Sequence, residues 1–382
     1  MLLEGVHLIR YAPTANATQP HDFLREFDAA VANGVAVAAA CTALERDGFR
    51  PDMVIGHNGW GELFYVKDVW PHVPVLAYFE FFYRASGSDA DFDPESPIDA
   101  DMAMRLRTRN GINLLGLDAA DWGQTPTRWQ QSQYPPMHHA RMSVIHDGID
   151  TDRLCPAPSA RLWLEGGVSL GKTDEVVTYS ARNLEPYRGF HVFMRALPKV
   201  LRARPNAQVL IVGGDGVSYG RGPDRAPTWR EQLLNELGGE IDLRRVHFVG
   251  RLPFQQYIAV LQLSSVHVYL TYPFVLSWSL LEAMSAGCHI VASRTAPVEE
   301  VIRDGKNGWL VDFFDTDAIA QRIIAALRAG RPNRRLRTAA RATVTERYDL
   351  RLVCLPAQLA LLEKLTGTTR LRLDRAPRLA VM

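Results

Sequence analysis

Three groups of residues in this chain have types and spacings that could do chemistry. The stretch "ARNLEPYRGF" (181–190) sets Arg182 and Arg188 on either side of a Pro-containing turn, with Gly189 opening the next element. Guanidiniums fixed beside a helix start suit a diphosphate. They also stabilise the charge that develops on a departing nucleoside diphosphate without help from a metal. The stretch "YPFVLSWSLLEAMSAGC" (272–288) carries Glu282 one turn into a helix that starts near Ser277. Its neighbours Leu280, Leu281 and Met284 are apolar, so a carboxylate on that face needs partners. Two adjacent ribose hydroxyls would supply them, and the amides of Leu276, Ser277, Trp278 and Ser279 are placed to meet phosphate oxygens. The third group, "GGDG" (213–216), ends a strand with glycines that permit close backbone approach to a ligand, although a tight turn is the plainer account. Bland alternatives stand beside the others too: two surface arginines on a loop, and a glutamate on a solvated helix face. His57 and Glu80 each end a predicted strand in the first half, where either a cleft-facing polar group or a satisfied strand-end residue would sit.

These groups can meet only if the chain lays their strands side by side. The strand in "EVVTYSARN" (175–183) is followed by Phe190, Phe193, Met194, Leu197 and Leu201 at helical spacing. A buried strand "AQVLIVGGDG" (207–216) follows, and Thr228 with Glu231 forms a capping box for the helix "TWREQLLNEL". Strands "VHFVG" (246–250), "VHVYLT" (266–271) and "HIVAS" (289–293) then alternate with helices, including a short one around Val298 to Ile302. Strand "GWLVD" and helix "TDAIAQRIIAAL" complete the series. Such alternation implies a parallel, doubly wound sheet, which binds ligands beyond the carboxyl ends of its strands.

The first half has the same grammar with weaker periodicity. Strands are predicted at 6–11, 53–57, 73–80, 121–125 and 142–148, with a long Ala/Val-rich helix from about His21 to Arg46, interrupted at Gly34. The expected architecture is α/β, with two Rossmann-like domains facing each other across a cleft. Residues 1–150 form the first, 151–172 a linker rich in Pro, Gly and Ser, and 173–348 the second. Residues 349–382 hold a helix from Leu350 to Leu365, interrupted at Pro356 and expected to return to the first domain, then a tail without clear period that reads as mobile.

Composition narrows the function classes. A chain of 382 residues fits roughly two domains. A formal net charge of +1 gives no footprint for nucleic acid. Cys41, Cys155, Cys288 and Cys354 lie far apart without metal-ligand spacing and read as reduced thiols of a cytosolic protein. No apolar run approaching the ~20 residues of a membrane span is expected, nor a signal peptide. A cytoplasmic location follows, with peripheral membrane contact left open. There is no Walker lysine, zinc-spaced His pair or nucleophile elbow, and the "MHH" at 137–139 reads as solvated loop.

Taken in order, "VIHDGIDTDRLCP" (144–156), "ARNLEPYRGF", "GGDG", "VHFVGRLP", "LLEAMSAGCHIVAS" and "EEVIRDGKNGWLVDFFDTDAIA" resemble family 4 of the retaining glycosyltransferases, which adopt the GT-B fold. The match spans roughly 140 to 350. "DGFRPDMVIGHNGWGE" and "FEFFYRASGSDADFDPE" are similar to a bacterial subgroup of that family. The resemblance implies transfer of a sugar, with retention of configuration, from a nucleotide-sugar donor to a sugar, a lipid-linked sugar or another hydroxyl acceptor. The usual context is surface polysaccharide synthesis, and no metal or other cofactor is implied. By carry-over Arg182 and Arg188 bind the diphosphate, Glu282 the ribose, and the Leu276–Ser279 backbone the phosphates. Gly214, Asp215, Gly216 and Arg251 fall in donor-binding motifs, and the sugar would lie between Phe274 and the first-domain strand ends, including His57 and Glu80.

The chain departs from the family twice. A lysine is usual at Arg188, and a first glutamate, separated from Glu282 by seven residues, is usual where Phe274 stands. Phe274 accepts no hydrogen bond, so altered donor recognition is the expectation, with Ser277 and Ser279 as substitute sugar contacts. The family's opening strand, loop and helix are also missing before "GVHLIRYAP", which should expose strand edges and apolar helix faces. Two alternatives stand beside the transferase: a catalytically incompetent nucleotide-binding homologue or truncated product, and a GT-B-fold sugar-nucleotide epimerase.

Overall fold

The structure is a computed structural model that describes residues 5–14, 19–164, 167–328 and 334–368; the C-terminal tail from 369 lies outside them. The chain divides into two compact units, and neither is a simple half of the sequence. The first comprises residues 1–85, 97–146 and the chain from Cys354, and the second comprises Ser86–Ser96 and Asp147–Val353.

In the first unit, α1 (Arg25–Arg46), β1 (Val54–His57), α2 (Val66–Val69), β2 (Val75–Tyr78), α3 (Ala100–Ala119), β3 (Trp122–Thr125), α4 (Arg128–Gln133) and β4 (Met142–Val144) follow in order. The four strands are parallel and lie in sequence order. Alanines favour helix throughout α1, and Gly34 does not interrupt it. A Cβ at Gly34 would come within 2.7 Å of the Gly61 carbonyl, so the glycine allows close packing instead of breaking the helix. Gly61 itself needs its left-handed φ of 88°. α1 buries only Ala30 and Gly34, and β1 lies at the sheet edge with Ile55 exposed. Residues 6–11, expected as a strand, form none. Contrary to the expected lack of an apolar run, Asp22–Arg46 is long and apolar enough by length and composition to cross a membrane.

The second unit starts with a hairpin of β5 (Arg161–Trp163) and β6 (Ser169–Gly171), so 151–172 is not a structureless linker. Next come β7 (Val176–Asn183), α5 (Phe190–Ala203), β8 (Gln208–Gly214), α6 (Trp229–Leu237), β9 (Val246–Gly250), α7 (Phe254–Leu263), β10 (Val266–Tyr269), α8 (Trp278–Ser285), β11 (Ile290–Ser293), α9 (Ala296–Glu299), β12 (Trp309–Val311), α10 (Thr316–Arg328) and α11 (Arg334–Arg347). The six parallel strands are ordered β12-β11-β10-β7-β8-β9. From β7 the chain winds first one way and then the other, the Rossmann order, so the topological switch point lies between β7 and β10. A ligand crevice belongs at their carboxyl ends. β10 is buried throughout and β7 is buried from Val176 to Tyr179, as a sheet covered by helices on both faces requires. After α11 a single π turn (Leu350–Cys354) leads into α12 (Leu355–Thr366), which groups with the first unit. Pro356 sits in the first turn of α12, where its missing N–H costs nothing, so it does not break the helix.

The segment Ser86–Ser96 is fastened to the second unit by side chains of both its charges and its aromatic. Tyr187 donates to Asp89 at 2.9 Å, Tyr272 donates to Asp93, and Arg195 bridges Glu95 and Glu236. Phe92 packs among Tyr272, Phe313 and Phe314. Burial alone would raise the Asp93 carboxyl. The contacts of His191 and Tyr272 and the amide of Glu95 outweigh it and hold the group below its ordinary value.

Buried neutral imidazoles set an acid limit on the second unit. Burial lowers His267 to about 3 and His289, also opposed by Arg337, to about 4. The unfolded chain binds these protons below about 6.5 whereas the folded one does not, so stability falls as pH drops through that window. Each histidine should remove about 2 kcal/mol between pH 7 and pH 5. Denaturant melts at the two values check this; an unchanged midpoint and slope would contradict it.

Candidate functional site

At the switch point, β7 runs into Leu184, Glu185 and the single 3-10 turn Pro186–Arg188, and Gly189 then opens α5. Gly189 adopts φ 69°, and a Cβ there would lie 2.3 Å from that of Leu270, so only glycine lets this turn approach the end of β10. The turn aims Arg188 inward. Its side chain is 7% exposed, and Nη1 donates to Thr271 Oγ1 at 2.8 Å and to the Val275 carbonyl at 2.9 Å. The guanidinium lies over the rings of Tyr219 (5.2 Å) and Phe274 (5.8 Å). Five N–H donors are not exhausted by one nitrogen, so the group can still meet an anion. Arg182, by contrast, is exposed at the end of β7. The arginines therefore differ: one is a fixed wall, the other a solvated arm.

Glu282 is half-buried on α8 and accepts a hydrogen bond from Tyr257 at 2.8 Å. Burial raises its carboxyl above the ordinary value, and the Tyr257 hydroxyl partly opposes the shift. Ser277 caps the helix: its Oγ accepts from the Ser279 amide and lies 3.0 Å from Ser279 Oγ, while its own amide donates to Tyr269. Two of the expected phosphate donors thus already have intramolecular partners. Leu276 is buried and Trp278 is 54% exposed.

Phe274 is 5% exposed, not a bare pocket wall. Tyr187 meets its ring edge-on at 5.5 Å, and the Tyr219 ring lies tilted against it at 5.0 Å. A Cβ at Gly214 would lie 2.8 Å from both Arg251 Nε and Asn183 Oδ1, so a side chain there would have to displace both. Arg251 donates to that same Asn183 oxygen at 2.9 Å, and exposed Asp215 pairs with Arg230 at 2.9 Å. Gly216 is exposed beside them. In the first unit, His57 Nε2 lies 3.5 Å from Glu80 Oε2, and the imidazole, stacked on Trp60, accepts from the Gly59 amide. The two strand ends expected separately therefore form one pair.

Sequence reasoning missed Glu185, Tyr187 and Tyr219. Their only signal was position: the first two lie inside the arginine motif and the third four residues past the aspartate of "GGDG".

Family comparison agrees with this layout. The glycosyl transferase family 4 group profile matches residues 1–154, and the glycosyl transferases group 1 profile matches 168–343. The chain belongs to the glycosyltransferases that join these two domains. It is 34% identical over 213 residues to a phosphatidyl-myo-inositol mannosyltransferase of Mycobacterium leprae, across 55% of this chain and 50% of that one. A GDP-mannose-dependent alpha-(1-6)-phosphatidylinositol monomannoside mannosyltransferase of Mycolicibacterium smegmatis is 29% identical over 220 residues, across 55% and 54%. The chain thus spans about half the length of the curated relatives it matches. Among solved structures, sucrose-phosphate synthase from Thermosynechococcus elongatus superposes with TM-score 0.69 at 18% identity, covering 94% of this chain and 83% of its own. Anabaena HepE in complex with UDP-glucose gives 0.63 at 17%, covering 87% and 82%. The fold is GT-B, with two Rossmann-like domains.

Glu282→Gln separates a ligand role from a structural one. The amide oxygen still accepts from Tyr257, and the cost of an ionised, half-buried carboxylate disappears. The raised carboxyl destabilises the fold as pH rises above about 4.5, so at neutral pH the variant should melt no lower than the parent. Nucleoside diphosphate affinity should nevertheless drop, because a charge-assisted acceptor is lost. Lower melting with unaltered affinity would leave Glu282 a structural residue.

Proposed function

We propose that this protein transfers a sugar from a nucleotide-sugar donor to a hydroxyl acceptor with retention of configuration. The carrying observation is Arg188, a cation fixed at the switch point of a Rossmann sheet beside two glycine-tightened loops. Arg188 and Arg182 take the diphosphate, the Leu276–Ser279 turn supports it, and Glu282 takes the ribose. Departure of the nucleoside diphosphate concentrates negative charge where these cations lie, which lowers the barrier without a resident cofactor. The relatives named for mannosyl transfer to phosphatidylinositol compounds and the neighbour holding UDP-glucose favour nucleotide-sugar chemistry. Sugar, lipid-linked sugar or another hydroxyl compound serves as acceptor, in surface polysaccharide or glycoconjugate synthesis at the cytoplasmic side of the membrane.

Phe274 favours an active site with altered donor recognition over a decayed one. A ring has taken the carboxylate's place, and it fits between two tyrosines and under a guanidinium. Random loss of function would not preserve such packing.

Arg188→Ala should weaken UDP or GDP binding by about 1.5–3 kcal/mol, the range for hydrogen bonds to charged groups. Arg188→Lys should keep part of that, since a point charge remains without the planar fork. Calorimetry on folded variants decides, and unchanged affinity in the alanine form would remove Arg188 from the site.

Phe274→Glu should lower turnover on the native donor in a donor-panel assay. The new carboxylate would be buried within reach of Arg188 and would compete with Thr271 and Val275 for it. A variant that gains activity on every donor, from an inactive parent, would mean that the site had merely decayed.

A further inference from the structure

The Glu185 side chain is fully buried, and backbone amides engage its carboxylate. Its carboxylate accepts from three successive amides, Ser218, Tyr219 and Gly220, each at 3.1 Å. Three consecutive N–H groups turned toward one point make an anion-binding nest. The nest lies in the loop after β8, and a residue of the arginine turn already fills it. The same loop is tied again to the end of β7, where Asn183 donates to Ser218 Oγ at 2.7 Å. It carries Tyr219, whose ring faces both Arg188 and Phe274. Gly220 lies against Tyr187, with the place of a Cβ 3.2 Å from that ring.

We propose that Glu185 is a positioning residue for donor binding. Its carboxylate substitutes for an anion in the 218–220 nest, fixes that loop onto the arginine turn, and so holds Tyr219 as the outer face of the Arg188 slot. The diphosphate is thereby excluded from the nest and directed to the arginines and the start of α8. This rests on the diphosphate reading of Arg188, and it adds that the slot exists only while the Glu185 carboxylate is seated in the nest. Glutamine, which has one carbonyl oxygen in place of two, cannot satisfy all three amides equally and turns an N–H₂ donor toward donors.

The experiment compares the parent with Glu185→Gln, Tyr219→Ala, the double variant and Arg188→Ala, using UDP and GDP as probes. Limited trypsin digestion reports the loop directly, because Arg221 and Arg225 lie exposed in it. Glu185→Gln should speed cleavage at these two sites, and UDP or GDP should protect the parent more than the variant. Calorimetric affinity should fall roughly tenfold in Glu185→Gln, about as far in Tyr219→Ala, and hardly further in the double variant, since residues acting through one another are not additive. Additive losses in the double variant would overturn the proposal, as would unchanged cleavage and affinity in Glu185→Gln. If Glu185→Gln fails to fold, Tyr219→Ala decides, because unchanged diphosphate affinity there removes the slot. Should Arg188→Ala bind the diphosphates like the parent, or the parent bind neither, the underlying site assignment fails first. If Arg188→Ala loses affinity and Glu185→Gln does not, that assignment stands and Glu185 is only structural.

Discussion

A buried guanidinium at the carboxyl ends of two parallel strands is the constraint around which the second unit is arranged. An ionised group cannot leave water without partners, and Arg188 obtains them from the loop that follows β10: the Thr271 hydroxyl and the Val275 carbonyl. The loop after β8 contributes Tyr219 as an aromatic face. Three loops from three adjacent strands therefore converge on one side chain. Sheet order makes this possible, because β10, β7 and β8 are neighbours although far apart in sequence. Gly189 makes it close enough, since any side chain there would strike Leu270.

Carboxylates do the fastening around that centre, and each is satisfied differently. Glu185 is held by amides. Asp93 is held by His191 and Tyr272 and lies below its ordinary titration range despite burial. Asp89 receives the Tyr187 hydroxyl, and Tyr187 and Tyr272 lie ring against ring at 4.6 Å. The residues between Ser86 and Ser96 thus reach the arginine turn through two tyrosines that are themselves packed together. Because neighbours in one network couple more strongly than distant residues, changes in that segment should register at the arginine turn before they register in the sheet.

The elements of the second unit were legible because buried parallel strands and amphipathic helices leave strong periods in sequence, and β7 to α10 fall where those periods lie. Pairing order is not written in periodicity, so the switch point had to come from the structure. In the first unit, residues 6–11 have a strand's apolar side chains and no strand, because residue type signals a face to bury and cannot supply the neighbouring strand. The opposite error arose at Gly34, where a poor helix former marks a close contact with Gly61. Burial was equally hidden: two arginines six residues apart look equivalent on paper, but Arg182 is solvated and Arg188 is not. Glu185 went unnoticed since backbone amides, its partners, have no residue type to recognise.

The two unusual residues of the site are best understood as one change. Where the family commonly sets a lysine and a glutamate, this chain has Arg188 and Phe274. An ammonium is a compact, strongly hydrated point charge that has no planar face to lay on a ring and no fork of donors. A guanidinium is planar and weakly hydrated, and it stacks on aromatic faces. With Phe274 and Tyr219 presenting rings and Thr271 and Val275 presenting oxygens, arginine suits this slot and lysine would not fill it. Conversely, a glutamate at 274 would draw the cation away from the Thr271 and Val275 oxygens that now hold it. The ring at 274 and the guanidinium at 188 therefore suit each other as neighbours.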